Sequence, residues 1–539
     1  MRLRRVAPVM GVLALAAVLR FWALDQGLPF PNSRPDEREA VLKYTLGFSQ
    51  GDWNPRMFVY PNFYYYLTWA WGEVALAVRR LLVPTPSYNE VYTTAVPLLL
   101  LVGRALSALV GTLTVWLTYR IGRHLGGDRL GVVAGILLAT NFLHARDSHA
   151  LKPDVLLAFG VLASLGQLAR FVSAPSTRRA LVAGVAIGLT TAVKYNGLFL
   201  LVPAYVAGWV ATPAVARRWL PGRDVWLIAA AAGATFVLTC PFLVLDLSRT
   251  QYWLSFGPWA IYASRPHAAL AAAVGPLARA RLFLESRAFA HHLLFSLRHG
   301  AGLAATLATP AAILLALRRP WTPFFVLAAV FSLAYYLAIG LSPVHLARYF
   351  TPLTPLLALL VAQLLILLVR PLHKSRLQPL ALATLTLLFA LEPTRANIAH
   401  NQIGSRTDTR VQAASWMETH LPPGAVVAMP GTIFSAGSDP ELPAGARKLA
   451  YGIGPEQYAG EGVTHVVTHW HHELLRFSQP NPGLMRLLKP HLRPLAEFSP
   501  FVGPPSGHFE NEDAYYIPFY GFSGVERPGP LVRIFAYTP

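Results

Sequence analysis

Two adjacent carboxylates, Asp36 and Glu37, follow a proline in the first polar stretch of the chain. A carboxylate held at a membrane surface can remove a proton as a general base or bind a divalent metal ion such as Mg²⁺ or Mn²⁺. The spacing Ser33-x-x-Asp36 also fits a capping box, and acidic residues are favourable in the first turn of a helix. The two residues therefore predict either a catalytic acidic pair or the start of a helix.

A second polar cluster lies between two apolar runs, at residues 144–154. Asp154 follows a proline at the end of this cluster, which is typical of a helix N-terminus. A helix start does not explain why Arg146, His149 and Lys152 lie in the same short segment. Such cations bind phosphate and carboxylate groups, so the cluster predicts an anion-binding site.

Two further cations occur where apolar runs meet. Lys194 is followed by Tyr195 and Asn196, and a lysine in this position is costly unless it pairs with a carboxylate or faces water. Its alkyl chain can also reach the membrane surface and place the ammonium group in water. Arg348, next to Tyr349, is another candidate for binding a phosphate group.

Eleven apolar runs must position these residues. The first, Val6 to Leu24, follows three arginines and is long enough to cross a bilayer, so we interpret it as an uncleaved signal anchor with a cytoplasmic N-terminus. Alternating the other runs across the membrane places five consecutive basic loops on the cytoplasmic side, as the positive-inside rule requires. The polar clusters above then lie on the outer side. The remaining runs cover residues 97–119, 129–143, 150–171, 179–194, 196–211, 225–243, 302–317, 323–341, 351–369 and 377–391.

Two stretches on the outer side do not fit a simple crossing. Residues 58–82 are apolar and aromatic, but a crossing there would invert the topology of everything that follows, so we expect this segment to lie on or dip into the outer leaflet. The arginine-rich stretch 245–300 fits either an amphipathic helix on anionic headgroups or a lid that faces a phosphate group.

The composition is that of a membrane protein. Of the 539 residues, 54% are hydrophobic and 13% are charged, whereas a soluble domain carries roughly 25% charged residues. The net charge of +20 sits in the apolar part, because residues 1–393 carry 35 basic and 14 acidic residues while residues 394–539 carry 11 and 12. Basic membrane loops explain this excess better than nucleic-acid binding does. The single cysteine, Cys240, excludes a disulfide framework, a Cys-based zinc site and an iron–sulfur cluster.

The composition changes at about residue 394, after which charges balance and Pro and Gly become frequent. We therefore expect a transmembrane domain over residues 1–393 and a small extracytoplasmic α/β domain over residues 394–539. The sequence predicts a helix at 409–420 and strands at 425–429, 462–469 and 532–537.

The second domain also contains four histidines between residues 465 and 472. Their spacing fits no strong zinc motif. We interpret them as chance histidines at the end of a surface strand.

The order of these motifs resembles that of one group of membrane enzymes. An acidic pair in the first outer loop is followed by Arg-Asp-Ser-His before a second acid, a Lys-Tyr-Asn-Gly turn, a late Arg-Tyr-Phe-x-Pro-Leu-x-Pro segment and a soluble tail. This arrangement resembles the GT-C superfamily of integral-membrane glycosyltransferases, and within it family 39, the protein O-mannosyltransferase-like and aminoarabinose-transferase-like enzymes of bacteria. The resemblance covers most of residues 1–430. It implies an all-α membrane bundle of about 11–13 transmembrane helices, with the α/β domain outside a prokaryotic cell (inner) membrane.

By this resemblance, the protein transfers a sugar from a polyprenyl-phosphate donor to an acceptor hydroxyl on the outer face, with inversion at the anomeric carbon. Asp36 takes the family's catalytic acidic position beside Glu37, and Asp154 takes the second acidic position. Because phosphate is a good leaving group, such a reaction needs one base and positive groups on the departing phosphate. The residues expected to bind the donor are Arg146, His149, Lys152, Lys194, Tyr195, Arg348, Tyr349 and, as an aromatic surface for the sugar, Tyr60.

The acceptor implied is a protein, a glycolipid or a growing glycan, and the other partners are membrane lipids rather than nucleic acid. No dedicated metal cage is visible, although the carboxylates leave a divalent metal open as a cofactor. The alternative functions are a secondary transporter and a non-catalytic scaffold or sensor. A transporter often shows inverted repeats, and none is visible here. A scaffold would not need carboxylates and arginines gathered on one side of the membrane.

Overall fold

The computed structural model describes residues 2–212, 220–254, 288–318, 322–342, 344–431, 437–449 and 455–539. Most of the basic stretch 245–300 lies outside these residues, so neither the helix nor the lid expected there is described. The chain divides into two compact units. The first consists of Met1–Phe21, Ala40–Thr94 and Val102–Asn397, and the second of Trp22–Glu39, Ala95–Leu101 and Ile398–Pro539.

Helices make up the first unit, and each predicted apolar run corresponds to a helix. A helix satisfies its backbone hydrogen bonds internally, which apolar surroundings require. The predicted helical bundle is therefore confirmed. The main helices are Arg2–Phe21, Asn62–Arg80, Val96–Thr140, Asp154–Ser173, Thr177–Val193, Leu201–Ala211, Arg223–Thr239, Leu303–Arg318, Pro323–Gly340, Thr354–Leu368 and Leu377–Gly404, with shorter ones at Tyr88–Thr94 and Phe142–Asp147.

Five of the described helical segments are long and apolar enough to cross a membrane, and a sixth is added if the bent pair Ala288–Ala301 and Leu303–Arg318 counts as one span. Other apolar helices are shorter. The helix Thr177–Val193 has 17 residues and is therefore about 26 Å long. This is slightly shorter than the ~30 Å thickness of the hydrocarbon core of a bilayer. The expected total of 11–13 crossings stays a prediction.

Two of the predicted runs, 97–119 and 129–143, belong to the segment Val96–Thr140, which is not helical at Gly126 and Gly127. Gly127 has a φ of +80°, a left-handed conformation that glycine adopts without steric cost. The two arms then pack so closely that a Cβ at Gly131 would lie 2.8 Å from the carbonyl oxygen of Tyr119. The break therefore turns the segment into a helical hairpin.

A second hairpin positions the residues of greatest functional interest. The helices Asp154–Ser173 and Thr177–Val193 are joined by only three residues, and the Ser176 side chain caps the second helix by accepting from the backbone N–H of Arg179. Ser164 and Thr190 hydrogen bond between the helices at 3.1 Å. Because the helices are antiparallel, the start of the first and the end of the second lie at the same end of the bundle.

The aromatic segment predicted to lie on the outer leaflet forms the helix Asn62–Arg80, with one face buried in the first unit. Asn62, Tyr65 and Leu76 belong to this buried face, whereas Val74 and Val78 are exposed. The expected position of this helix in the outer leaflet stays a prediction.

The second unit contains a five-stranded sheet, which confirms the small C-terminal α/β fold. In spatial order the strands are Arg447–Leu449, Val426–Ala428, His465–Trp470, Leu531–Tyr537 and Leu492–Phe498. The first three strands run parallel to one another. Leu531–Tyr537 runs antiparallel to both of its neighbours, His465–Trp470 and Leu492–Phe498. The helix Thr409–His420 packs Ala413 and Met417 against this sheet. The sequence did not predict the strands at 447–449 and 492–498, which are short or exposed on one side.

The interpretation of the histidines as chance surface residues is wrong for two of them. His469 and His471 are 3% and 0% exposed. His469 bonds through Nε2 to Asp439 Oδ1 at 2.8 Å and through Nδ1 to Ser478 at 2.9 Å. His471 Nδ1 accepts the backbone N–H groups of Glu473 and Leu474 at 3.2 and 3.1 Å. These histidines are parts of the domain's core.

The environment of His471 makes the stability of the second unit depend on pH. Burial, together with the charge of His472, lowers the pKa of His471 to about 3 from its ordinary value of 6.5. The unfolded chain therefore binds one more proton than the folded chain between these values, and stability falls as the pH falls. We expect the free energy of unfolding of the second unit to fall by up to about 2 kcal/mol between pH 6.5 and pH 5, as measured by hydrogen exchange in the strand His465–Trp470.

The variant His471→Asn keeps a hydrogen-bond acceptor that does not titrate, so its free energy of unfolding should depend less on pH. An unchanged slope in the variant would assign the effect to other groups.

Candidate active site

A buried carboxylate, Asp154, pairs with a lysine from the neighbouring helix. Lys194 Nζ donates to Asp154 Oδ1 at 2.6 Å, and the two side chains are 10% and 3% exposed. Asp154 begins the helix Asp154–Ser173, and Lys194 follows the end of Thr177–Val193. A negative charge is favourable at a helix N-terminus and a positive charge at a C-terminus, so the helix dipoles and the ion pair support one another.

Two further cations lie beside this pair. Arg348 Nε is 3.9 Å from Asp154 Oδ2, and Lys194 Nζ lies 4.8 Å from the centre of the Tyr349 ring. Lys152 is buried and close enough to repel the charge of Lys194. Three buried cations are thus gathered around one carboxylate. Because guanidinium and ammonium groups bind phosphate and carboxylate groups, this part of the first unit suits an anionic ligand.

The second oxygen of Asp154 is open to a hydrogen bond. Oδ2 is buried and accepts none from the described residues. Leaving a buried acceptor unsatisfied costs about 1–3 kcal/mol. Tyr335, which the sequence analysis did not identify, lies near this carboxylate and bonds to Asn196 at 3.3 Å. A ligand hydroxyl is therefore a suitable partner for Oδ2.

The segment 144–149 is held by ion pairing and hydrogen bonds. Arg146 Nη1 lies 3.5 Å from Asp147 Oδ1, and both side chains are 4% exposed. The other oxygen of Asp147 accepts from the Thr351 hydroxyl, which lies in the 3₁₀-helical segment Ala347–Leu353. His149 is buried and its ring bonds to a backbone carbonyl one turn earlier. Asp147 and Thr351, to which the sequence analysis gave no role, connect this segment to the one that carries Arg348.

Tyr195 and Tyr60, both predicted to bind the donor, occupy an aromatic region of the first unit. The Tyr195 hydroxyl donates to the backbone carbonyl of Phe58 at 2.9 Å. Tyr60 packs edge-on against Tyr64, with ring centres 5.8 Å apart. Tyr195 therefore ties the turn after Lys194 to the segment that precedes the helix Asn62–Arg80.

The turn after Lys194 depends on Gly197, because a Cβ there would lie 2.6 Å from the backbone nitrogen of Thr191. Gly197→Ala must shift this turn, and we expect it to destabilise the protein by about 1–3 kcal/mol. The matched control is Gly233→Ala, since a Cβ at Gly233 meets nothing within 4 Å and alanine favours a helix interior by up to ~1 kcal/mol. Thermal unfolding of the two variants measures the difference. Equal melting temperatures would show that the turn adapts freely.

The acidic pair at 36 and 37 lies in the second unit. Asp36 has a φ of +70°, which is uncommon for a residue other than glycine and is tolerated best by Asp and Asn. Glu37 is buried and begins a π-helical turn, Glu37–Val41. No α-helix follows Ser33 here, so the expectation of a capping box is wrong. Left-handed residues and π turns are both enriched at functional sites.

An arginine that the sequence analysis did not identify holds the segment before Asp36. Arg410 forms a bidentate pair with Asp408, at 2.9 and 2.7 Å, and both side chains are 1% exposed. The Arg410 guanidinium lies 4.5 Å from the Phe30 ring centre and 4.8 Å from that of Tyr516. Arg34, four residues after Phe30, stacks on Tyr515 at 5.0 Å. The tail therefore clamps residues 30–34, and no local sequence pattern indicates this contact.

Arg410→Lys keeps the positive charge but loses the bidentate geometry and the stacking that a guanidinium provides. We expect it to destabilise the second unit by about 1–3 kcal/mol and to increase hydrogen exchange at residues 30–33. Arg406→Lys is the matched control, because its pair with Glu526 is 55% and 34% exposed and such pairs contribute about 0–1 kcal/mol. Equal effects of the two substitutions on thermal unfolding would contradict the clamp.

The residues around Asp154 do not fit a divalent metal ion, because their neighbours are the cations Lys152, Lys194 and Arg348, which repel one. Among the described residues, no group of three or more His, Cys, Asp or Glu side chains is placed to hold a metal ion.

The fold resembles that of solved membrane glycosyltransferases. ArnT from Cupriavidus metallidurans bound to undecaprenyl phosphate matches with a TM-score of 0.54 and 15% identity, over 98% of this chain and 97% of ArnT. The Archaeoglobus fulgidus oligosaccharyltransferase in complex with Zn and sulfate matches with a TM-score of 0.52 and 14% identity, over 98% of this chain and 88% of that one. At these identities the likeness concerns the fold, which is that of the GT-C class.

A family model adds evidence at the level of sequence. Residues 99–260 match the model described as dolichyl-phosphate-mannose-protein mannosyltransferase, a range that contains Asp154 and Lys194. No curated protein matches the chain in sequence. The predicted resemblance is confirmed in the fold and over residues 99–260, and the chain is a multi-pass membrane protein with the GT-C fold.

Proposed function

We propose that the protein transfers a sugar from a polyprenyl-phosphate-linked donor to an acceptor hydroxyl on the outer face of a prokaryotic cell membrane, with its N-terminus in the cytoplasm. The observation that carries this proposal is the gathering of Lys152, Lys194 and Arg348 around Asp154 in a buried part of the first unit. The ArnT structure of similar fold holds undecaprenyl phosphate. A lipid phosphate carries the negative charge that suits these cations.

The reaction is a single displacement with inversion. The acceptor oxygen forms a bond to the anomeric carbon as the bond from that carbon to the phosphate oxygen breaks, and the electron pair of that bond leaves with the phosphate. The acceptor proton passes to the Asp36 carboxylate, with Glu37 beside it. Lys194 and Arg348 stabilise the charge that develops on the leaving phosphate, a contribution that is larger in a site without water. Asp154 holds the two cations and offers Oδ2 to a hydroxyl of the ligand.

The other predicted donor-binding residues have supporting roles. Lys152 adds to the positive potential, while Arg146 and His149 hold the segment that bears it. Tyr349 stacks against the Lys194 ammonium group. Tyr60 and Tyr195 belong to the aromatic region that would face the sugar. The acceptor is a protein, a glycolipid or a growing glycan, and a secondary transporter is not favoured by the fold or the family match.

The test is a transfer assay on the full-length chain purified in detergent. A panel of polyprenyl-phosphate sugars is supplied together with a membrane extract as the source of acceptor. We expect release of polyprenyl phosphate from one donor, which would identify the sugar. Absence of release from every donor, with a folded protein, would contradict the proposal. Uptake of free sugar into sealed proteoliposomes would support the transporter instead.

A further inference from the structure

A cation-rich cavity lies at the other end of the helical bundle from Asp154. It has a volume of about 790 Å³. Arg170 lines it from the last turn of the helix that Asp154 begins, and 16 residues of α-helix span about 24 Å. Arg179 lines it from the first turn of the helix Thr177–Val193, which Lys194 follows. The cavity is therefore separate from the candidate active site.

The walls of this cavity are strongly basic. The residues that line it include Arg120, Arg123, His124, Arg170 and Arg179 but no aspartate or glutamate. Arg123 pairs with Asp128 at 2.7 Å. Within the described part of the chain, no carboxylate pairs with the other three arginines. The cavity thus offers several guanidinium groups to an anion, and guanidinium binds phosphate with two parallel hydrogen bonds.

The described contacts of these arginines keep them near the cavity without neutralising them. Arg179 Nη1 donates to the backbone carbonyls of Arg170 and Ala174, at 3.2 and 2.8 Å. The Arg120 guanidinium lies 5.1 Å from the Trp116 ring centre. Carbonyls and rings carry no net charge, so the positive charge remains available to a ligand.

An apolar stripe leads along the bundle to these cations. Leu109, Leu113 and Trp116 are 37%, 41% and 37% exposed, and together with Arg120 they recur every three or four residues along one helix. Residues at this spacing share one face of a helix. A hydrocarbon chain on that stripe would bring its polar end to Arg120. The surface therefore fits an amphipathic anion better than it fits a small soluble one.

We propose that this cavity binds the headgroup of an anionic phospholipid, with an acyl chain on the Leu109–Trp116 stripe. Basic residues at the cytoplasmic ends of helices also set the orientation of a membrane protein, but orientation requires only charge near the membrane. It does not require an acid-free cavity of this size beside an apolar stripe. The inference is independent of the proposed transfer reaction, since no residue of the candidate active site takes part.

The test measures binding of phosphatidylglycerol to the full-length protein in uncharged detergent, by native mass spectrometry and by the shift of the melting temperature. Phosphatidylcholine is the lipid control. The variant Arg120→Gln/Arg170→Gln removes two charges from the cavity, and Arg120→Lys/Arg170→Lys keeps them. Arg178→Gln removes an exposed neighbouring arginine that does not line the cavity.

We expect phosphatidylglycerol to bind the wild type and Arg178→Gln equally, and the double glutamine variant at least 10-fold more weakly. The double lysine variant keeps the charge but loses the paired hydrogen bonds of guanidinium, so it should bind more weakly than the wild type and more tightly than the double glutamine variant, which separates the loss of charge from a folding defect. Three results would overturn the proposal: equal binding by the double glutamine variant, equal binding of phosphatidylcholine, or the same stabilisation by inorganic phosphate at matched ionic strength. The last result would assign the cavity to a free anion.

Discussion

Asp36→Asn should lower the rate of sugar transfer by about 10²–10⁴-fold, the range that a positioned general base usually contributes. Asparagine has the size of aspartate and also tolerates the left-handed backbone of this position, where φ is +70°. The substitution therefore removes the proposed base while leaving the local fold in place. The measurement is release of polyprenyl phosphate under single-turnover conditions, so that product dissociation does not mask the chemical step.

The matched control for this variant is Glu39→Gln. Glu39 is three residues away, is 56% exposed and pairs with Arg38 at 3.7 Å. Exposed pairs contribute about 0–1 kcal/mol, so we expect the rate to stay within about 2-fold of the wild type. A wild-type transfer rate in Asp36→Asn would show that Asp36 is not the base. An equal loss of rate in both variants would show that the charge of the loop, rather than proton transfer, determines the rate.

The helices of the first unit could be predicted because they depend on local composition. A run such as 150–171 is apolar enough that only a helix satisfies its backbone, and the structure has Asp154–Ser173 there. The pairing of Asp154 with Lys194 follows from the same reasoning, since a three-residue connection brings the two ends of a helical hairpin together. Both residues are candidates from the sequence, but no motif in the sequence pairs them.

Contacts between residues far apart in sequence could not be predicted in this way. The spacing of His469 and His471 fits no zinc motif, and spacing alone does not indicate burial. His469 is held in the core by Asp439, 30 residues earlier, and by Ser478. Arg410 reaches Phe30 across 380 positions. No local pattern indicates this contact, because an Asp-Thr-Arg segment before a helix is also an ordinary N-cap. The capping box at Ser33 failed for the complementary reason: the tail holds this segment in a turn, and local propensity does not decide its shape.

The largest expected effect on stability is that of Asp154→Asn. The substitution leaves Lys152, Lys194 and Arg348 buried without the carboxylate that pairs with two of them. Removing one partner of a buried ion pair typically costs about 3–5 kcal/mol, because the remaining charge is uncompensated. Thermal unfolding in detergent measures this loss. Asp128→Asn is the control, because its pair with Arg123 is 60% and 45% exposed and should contribute at most about 1 kcal/mol.

A second substitution separates the repulsion among the cations from other causes of instability. Adding Lys194→Met to Asp154→Asn removes one of the stranded charges, so the double variant should be more stable than Asp154→Asn alone. A double-mutant cycle measures this coupling, because the two residues are in contact. If the second substitution only adds to the loss, the instability of Asp154→Asn comes from its place at the helix N-terminus rather than from the charges.

The same variant also tests what the cations bind. Asp154→Asn removes the negative charge that pairs with Lys194 and Arg348, so an anionic ligand should stabilise the variant more than it stabilises the wild type. A ligand that binds only the folded state raises stability by an amount that grows with its affinity. We expect undecaprenyl phosphate to raise the melting temperature of Asp154→Asn by more than that of the wild type, and a neutral polyprenol to raise neither. Equal shifts with the two lipids would show that the isoprenoid chain alone is bound, and the cations would then lose their assignment to the donor phosphate.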